Sequence, residues 1–168
     1  LAKAGLSVVL FNQRSVQEIL DVIGMLAALV GAQEKGRTLI ASLEENLSRI
    51  KESANAFPRR PRVYFEEWDE PMISGIRWVS ELIGIAGGED VFSEQSHSQA
   101  ASGRIIADGK AVIAKDPEVI LGSWCGKKFR PERMAARPGW DRISAVRENQ
   151  LFEVKSADIL QPGPAALT

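Results

Sequence analysis

Cysteine is nearly absent from this chain: Cys125 stands alone among 168 residues, so no intramolecular disulfide can staple the fold. Histidine is as scarce, and the single His97 with the single Cys125 falls short of the ligand count of a usual transition-metal site. Neither charge is in excess. The 21 basic and 22 acidic residues leave a formal net charge of -1, which gives no reason to expect nucleic acid or an anionic membrane as partner. No apolar run reaches the roughly 20 residues that span a bilayer, and the first residues lack the pattern of an export signal. Internal repeats and low-complexity tracts are missing too. Gly84, Gly87 and Gly88 follow a helix instead of joining a strand to one, so they make no dinucleotide or phosphate loop. Gly122 directly precedes Ser123, which excludes the G-x-S-x-G nucleophile elbow.

What is present is globular composition, 45% hydrophobic and 26% charged, enough for one domain, or one domain plus part of another. Residues 6–11, LSVVLF, read as a short buried strand. Ser15 and Glu18 form a capping box before Val16, Ile19, Leu20, Ile23, Leu26 and Val30, a helix with a broad apolar face ending at Gly31. Leu39, Ile40, Leu43, Leu47, Ile50 and Ala54 recur at steps of three and four and predict a helix over 33–54, about 33 Å long at about 1.5 Å per residue. Glu45 and Arg49 are spaced to pair on it. Pro58 and Pro61 break the chain there. Beyond them, strands are predicted at 62–65, 118–121 and 151–154. A helix with Ile73, Ile76, Val79, Ile83 and Ala86 on one face is closed by Gly87-Gly88, Asp108 caps a short helix through 114, and helical turns fall at 130–136 and 140–145. Strands alternating with helices imply an α/β fold, a three-layer lobe with a mostly parallel sheet. One strand before the long helix cannot make a sheet by itself, so residues 1–54 read as the tail end of another lobe.

In open α/β sheets ligands bind outside the carboxyl ends of the strands. The loops there carry Glu66-Glu67-Trp68-Asp69-Glu70-Pro71, then Gly122-Ser123-Trp124-Cys125-Gly126-Lys127-Lys128-Phe129-Arg130, then residues 155–164. Trp68 and Trp124 thus fall at one edge of the sheet, and flat aromatic surface beside a few polar groups suits a sizeable organic ligand. The plainer reading of a loop tryptophan is a lid on the core, and it is the one assigned to Trp78 and Trp140. The acidic run 66–70 reads as a solvated loop or as a docking surface for a basic partner; Lys127, Lys128, Arg130 and Arg133 read as surface or as a face toward an anionic ligand. His97, in a Ser- and Gln-rich loop, reads as exposed. A nucleophile pair with Cys125 lacks an orienting third residue, and an enzyme would need His97 buried near Cys125 or a carboxylate.

The order strand, EEWDEP, helix ending AGGEDVF, AKDPEVILGSW, GWDRISAVRENQLFEV and ILQPGPAAL resembles the substrate-binding proteins of ABC importers for cobalamin, ferric siderophores and haem. SWCGKKF with ERMAARPGW is similar to the cobalamin-binding branch. The resemblance covers the chain from Leu6 onward. It implies two α/β lobes joined by a long helix, with residues 1–31 the remnant of a first lobe, 32–57 the interlobe helix and 58–168 the second lobe. It implies a periplasmic or lipid-anchored protein that captures a solute without chemistry and passes it to a membrane permease. The protein would have no cofactor of its own; the transported ligand would be cobalamin or another metal chelate. By the same resemblance Trp68, Trp124 and Phe129 would lie against the macrocycle, and Ser123, Asp158 and Gln161 would hydrogen-bond its periphery. Glu70 would be the acid that meets the permease, although Arg77 stands where such an acid is also sought. Most of the first lobe is expected to be missing, leaving an apolar stripe of the interlobe helix exposed, through which an oligomer could form.

Overall fold

A computed structural model describes residues 2–168. The element order is α1 (Val16–Leu29), α2 (Gln33–Ala54), β1 (Arg62–Asp69), β2 (Met72–Ser74), α3 (Arg77–Ile85), β3 (Glu89–Asp90), α4 (Ser93–Ser96), α5 (Lys110–Lys115), β4 (Val119–Gly122), α6 (Pro131–Ala135), α7 (Ser144–Arg147), β5 (Leu151–Glu153) and α8 (Ser156–Ile159). The sheet runs β2-β1-β4-β5, with β3 beside the start of β1. Its β1–β3, β1–β4 and β4–β5 pairings are parallel and only the short β2 is antiparallel.

Alternation along β1 makes the two faces. Val63 and Phe65 join a core with Ile19, Leu20, Leu43, Trp78 and Val79, so α1, α2 and α3 cover one side. Tyr64 joins Val112, Ile120, Met134, Trp140 and Ile143 on the other. The result is the expected three-layer α/β arrangement.

The capping box at α1 is present. The Ser15 hydroxyl accepts the Glu18 N–H at 3.1 Å and the Glu18 carboxylate accepts the Ser15 N–H at 3.2 Å, which satisfies two N–H groups that the helix leaves free. The helix α2 crosses α1 at Gly36, where a Cβ would lie 2.4 Å from the Cβ of Ala27; only glycine permits that approach. Gly87, with φ +86, closes α3 in the left-handed conformation that the sequence predicts there.

Four expectations change. Residues 6–11 form no strand: they lack a pairing partner among the described residues, and Leu10 is 89% exposed. Apolar β-branched residues favour an extended shape, but a strand needs a ladder, and β1 already gives one edge to β4 and the other to β3 and β2. Ile73 lies in β2 and not in the helix, because the chain reverses after Asp69 into a hairpin before α3 starts at Arg77. Glu45 makes no ion pair with Arg49, which donates instead to Asn46 Oδ1 at 2.9 Å, a neighbour three residues back on the same face. The apolar stripe of α2 is mostly covered, since Leu43 is buried and Ile40 and Leu47 pack on the core. Its exposed members are Leu39 and Ile50, whereas the larger uncovered surface is Met25, Leu26 and Leu29 of α1 and Val30 just after it, with Leu6, Val8, Val9 and Leu10.

Residues before β1 and β4 are tied by charge. The Arg59 guanidinium donates twice to Glu118, and the Arg62 N–H donates to Glu118 Oε2 at 3.0 Å. Those hydrogen bonds, Arg59 first, hold the Glu118 carboxyl at about 2 instead of 4.5. A depressed carboxyl stabilises the fold above its unfolded value, and that stabilisation is lost as pH falls from about 4.5 through about 2. Arg59→Ala is therefore expected to return the Glu118 titration toward 4.5, read by carbon-13 NMR of the side-chain carboxyl. An unchanged titration would remove Arg59 as the cause.

Candidate functional site

β1 runs further than the sequence suggests, to Asp69, with a bulge between Glu66 and Trp68. Residues 66–69 are therefore strand and not solvated loop, while Glu70 stands exposed on the turn. A bulge at a strand end re-aims the side chains that follow, and here it hands alternate residues to different tasks. Glu66 is fully buried and accepts from Tyr64 Oη at 2.8 Å, Trp124 Nε1 at 2.9 Å, and Arg137 Nη1 and Nη2 at 2.6 and 2.9 Å. Burial pushes the Glu66 carboxyl above its usual value against the pull of Arg137, and burial pushes Tyr64 well up. Glu67 takes the buried Arg104 at 2.5 and 3.3 Å, and Arg104 also donates to the Ser74 carbonyl. This pins the β1–β2 hairpin.

Asp69, also buried, accepts from Lys127 Nζ at 2.8 Å, and Arg133 stands 4.0 Å away. Burial alone would raise the Asp69 carboxyl, but the Lys127 hydrogen bond and the neighbouring cations bring it below its usual value. The same ammonium sits 3.9 Å from the centroid of the Trp68 ring, a cation–π contact. The Trp68 indole donates to the Glu70 carbonyl at 2.8 Å. Beside this cluster a cavity of about 490 Å³ opens between the β1–β2 turn, residues 105–110 and residues 137–140. It lies at the carboxyl end of β1, where parallel sheets take ligands.

The structure sorts the expected site residues. Trp68 is half-buried at this edge and Glu70 is exposed on the turn, lining the cavity. Trp124 and Phe129 are each 3% exposed and pack edge to face at 5.2 Å, so they form the core beneath the loop and present no flat surface. The apolar context wins because the Trp124 indole finds its partner, Glu66, inside. Ser123 is buried, and among the described residues its Oγ has no partner. Asp158 and Gln161 are exposed near the end of the chain and do not line this cavity. Of the basic run, Lys127 and Arg133 converge on Asp69, whereas Arg130 faces Glu132 at 3.7 Å. Arg77 pairs with Glu81 at 2.9 Å. His97 and Cys125 are both exposed, so the burial that an enzyme reading requires is not met. Glu66, Arg137, Gly109 and Trp140 escape sequence reasoning. The one signal available was the pair Arg137 and Trp140 flanking Pro138-Gly139, a turn that sets a cation beside an indole; its guanidinium lies 4.6 Å from the Trp140 ring.

Parallel strands covered on both faces, with a recess and fixed charges at their carboxyl ends, define an α/β lobe that presents one sheet edge. Residues 1–157 match the profile of the periplasmic binding protein family, and the chain belongs to that family. It is 22% identical over 170 residues to YvrC, an ABC transporter substrate-binding lipoprotein of Bacillus subtilis (strain 168), covering 98% of this chain and 51% of the relative. It is 24% identical over 170 residues to the vitamin B12-binding protein of Vibrio parahaemolyticus, covering 99% and 58%. A crystal structure described as a possible iron-binding (periplasmic solute-binding) protein from Staphylococcus epidermidis superposes with a TM-score of 0.81 at 18% identity, covering 97% of this chain and 63% of the other; that likeness carries the fold. The chain spans about half the length of the curated relatives it matches. Among the described residues no helix is long and apolar enough to cross a membrane.

Proposed function

We propose that this chain is the solute-binding part of an extracytoplasmic component of an ABC importer. It captures a corrinoid such as cobalamin at the carboxyl edge of the sheet, and the loaded protein docks on a membrane permease through a surface that includes Glu70. In this reading residues 58–168 are the ligand-facing lobe and 32–57 the strut to another lobe, and the protein is periplasmic or lipid-anchored. The observation that carries it is the cavity of about 490 Å³ at the carboxyl end of β1, walled by Asp69, Glu70, Gly109 and Trp140; Trp68, next to Asp69, stands at the same edge but is not one of its walls. The name of the Vibrio parahaemolyticus relative supports the corrinoid. A second reading, a ferric siderophore or haem, draws on Lys127 and Arg133 beside Asp69, since an anionic chelate can compete for those cations.

Tryptophan fluorescence separates the two. Cyanocobalamin is expected to quench the emission saturably, because Trp68 stands half-exposed at the edge. A stronger saturable response to hemin or to a ferric siderophore transfers the assignment to the second reading. No saturable response to any of the three overturns the solute class.

A further inference from the structure

The four tryptophans differ in one respect. The indole N–H groups of Trp68, Trp78 and Trp124 donate within the protein at 2.8, 2.8 and 2.9 Å, to the Glu70 carbonyl, the Ile159 carbonyl and Glu66. Trp140 is 1% exposed, yet its Nε1 makes no hydrogen bond to another described residue, and it is not one of the fully enclosed polar atoms left without a partner, so the donor keeps an opening. A buried indole N–H ordinarily finds an acceptor. The reason lies in its neighbour. An added Cβ on Gly109 would stand 3.0 Å from Trp140 Nε1, and Gly109 and Trp140 both line the cavity. The bare glycine leaves the donor open toward that space, with Met72 and Ile106 as apolar wall.

We propose that Trp140 Nε1–H is a recognition donor of the solute site and that it takes the carbonyl oxygen of a neutral carboxamide on the solute's periphery. This rests on the solute-binding reading and narrows its ligand. Charge decides between a carboxamide and a carboxylate. Asp69, Glu70 and Asp108 line the cavity against Lys110 and Arg137. Pairing leaves one of these groups unmatched: Lys110 stands 3.9 Å from Asp108, Arg137 is committed to Glu66, and Asp69 takes Lys127 with Arg133 at 4.0 Å. Glu70 has no cation within ion-pair distance among the described residues. An incoming carboxylate meets the unmatched Glu70 on the cavity wall, whereas a carboxamide accepts the indole hydrogen without a charge penalty.

The test uses residues 1–168 labelled with nitrogen-15 in tryptophan, so that each indole N–H gives one NMR signal. Trp140→Phe assigns its own; if that variant fails to fold, Gly109→Ala assigns it by perturbing the adjacent N–H. Gly109 has helical φ -56 and ψ -19, so alanine fits the backbone there and changes only the approach to the indole. Saturating cyanocobalamin, rich in peripheral carboxamides, is expected to move the Trp140 signal downfield and slow its exchange with solvent, while hemin, with carboxylates, leaves it in place. Gly109→Ala is expected to weaken cyanocobalamin binding about tenfold, the scale of one hydrogen bond. If cyanocobalamin moves the Trp68 signal but not that of Trp140, and Gly109→Ala binds as well as the parent, the donor assignment falls and the solute-binding reading stands. If hemin moves the Trp140 signal as far as cyanocobalamin does, the carboxamide preference is overturned. If no indole signal responds to either probe, both fall.

Discussion

Glu66→Ala is expected to destabilise the fold by about 3–5 kcal/mol, a large share of the roughly 5–15 kcal/mol that holds a domain of this kind together. The residue is fully buried and makes four hydrogen bonds, two of them to one guanidinium. Removing it leaves the Arg137 charge, the Tyr64 hydroxyl and the Trp124 indole without an acceptor, and unpaired buried groups cost more than the bonds contribute net. The upward push of burial on Glu66 shows that the carboxylate is itself held at a cost. Its folded value lies above the unfolded one, so stability is highest while the group is protonated and declines as pH rises through the folded value. The cost of Glu66→Ala arises on the partner side. Combining it with Arg137→Met, which removes the stranded charge, should then recover part of the loss. Urea unfolding of the two single variants and the double variant at pH 7 measures this. Equal losses for Glu66→Ala with and without Arg137→Met would show that Arg137 is not the group that suffers.

The same residue explains what the sequence hides. Periodicity is local, so α1, α2 and the parallel strands β1, β4 and β5 are legible, though not the two-residue β3: Ser15 and Glu18 announce one helix start and Gly87 one helix end. Glu66 is legible only as one acid among several, because its burial depends on Arg137, which lies 71 positions away. Trp124 misleads for a related reason. Its place in a loop after a strand suggests exposure, but the Glu66 carboxylate draws its indole inward. Residues 6–11 mislead in the opposite direction, since their propensity is real and the partner that would make them a strand is not in the sheet. Trp140 reads as core and is core; what sequence cannot show is that a glycine 31 positions before it leaves one edge of the ring free.

Phe129 and Gly122 are expected to behave as a coupled pair. Phe129 is 3% exposed and lies edge to face with Trp124 at 5.2 Å, so Phe129→Ala leaves a cavity and should cost about 3–5 kcal/mol. Gly122 is the space that the ring fills: an added Cβ there would lie 2.0 Å from Cε2 and 2.1 Å from Cδ2 of Phe129. The backbone cannot yield, because Gly122 is laddered to Glu66 on one side and Glu153 on the other. Gly122→Ala should therefore expel the ring and cost about 1–3 kcal/mol by overpacking. In the double variant the new methyl enters the volume that the ring vacates. The loss in the double variant should then fall short of the sum of the two single losses by about 1 kcal/mol or more, within the range found for residues in contact. Sums that agree to within about 0.5 kcal/mol would show that the two positions are independent. The pair matters for the site because the loop between them carries Lys127. With Phe129 gone, the far end of that loop loses its buried ring and keeps its N–H bond to Glu153 at 3.1 Å, and the ammonium should shift from the Trp68 ring. The Trp68 share of the emission, taken as the difference from the matching Trp68→Phe chain, should then respond to Phe129→Ala as it does to Lys127→Ala. A Phe129→Ala chain that keeps the parent's Trp68 emission while Lys127→Ala alters it would show that the loop holds Lys127 in place without its aromatic anchor.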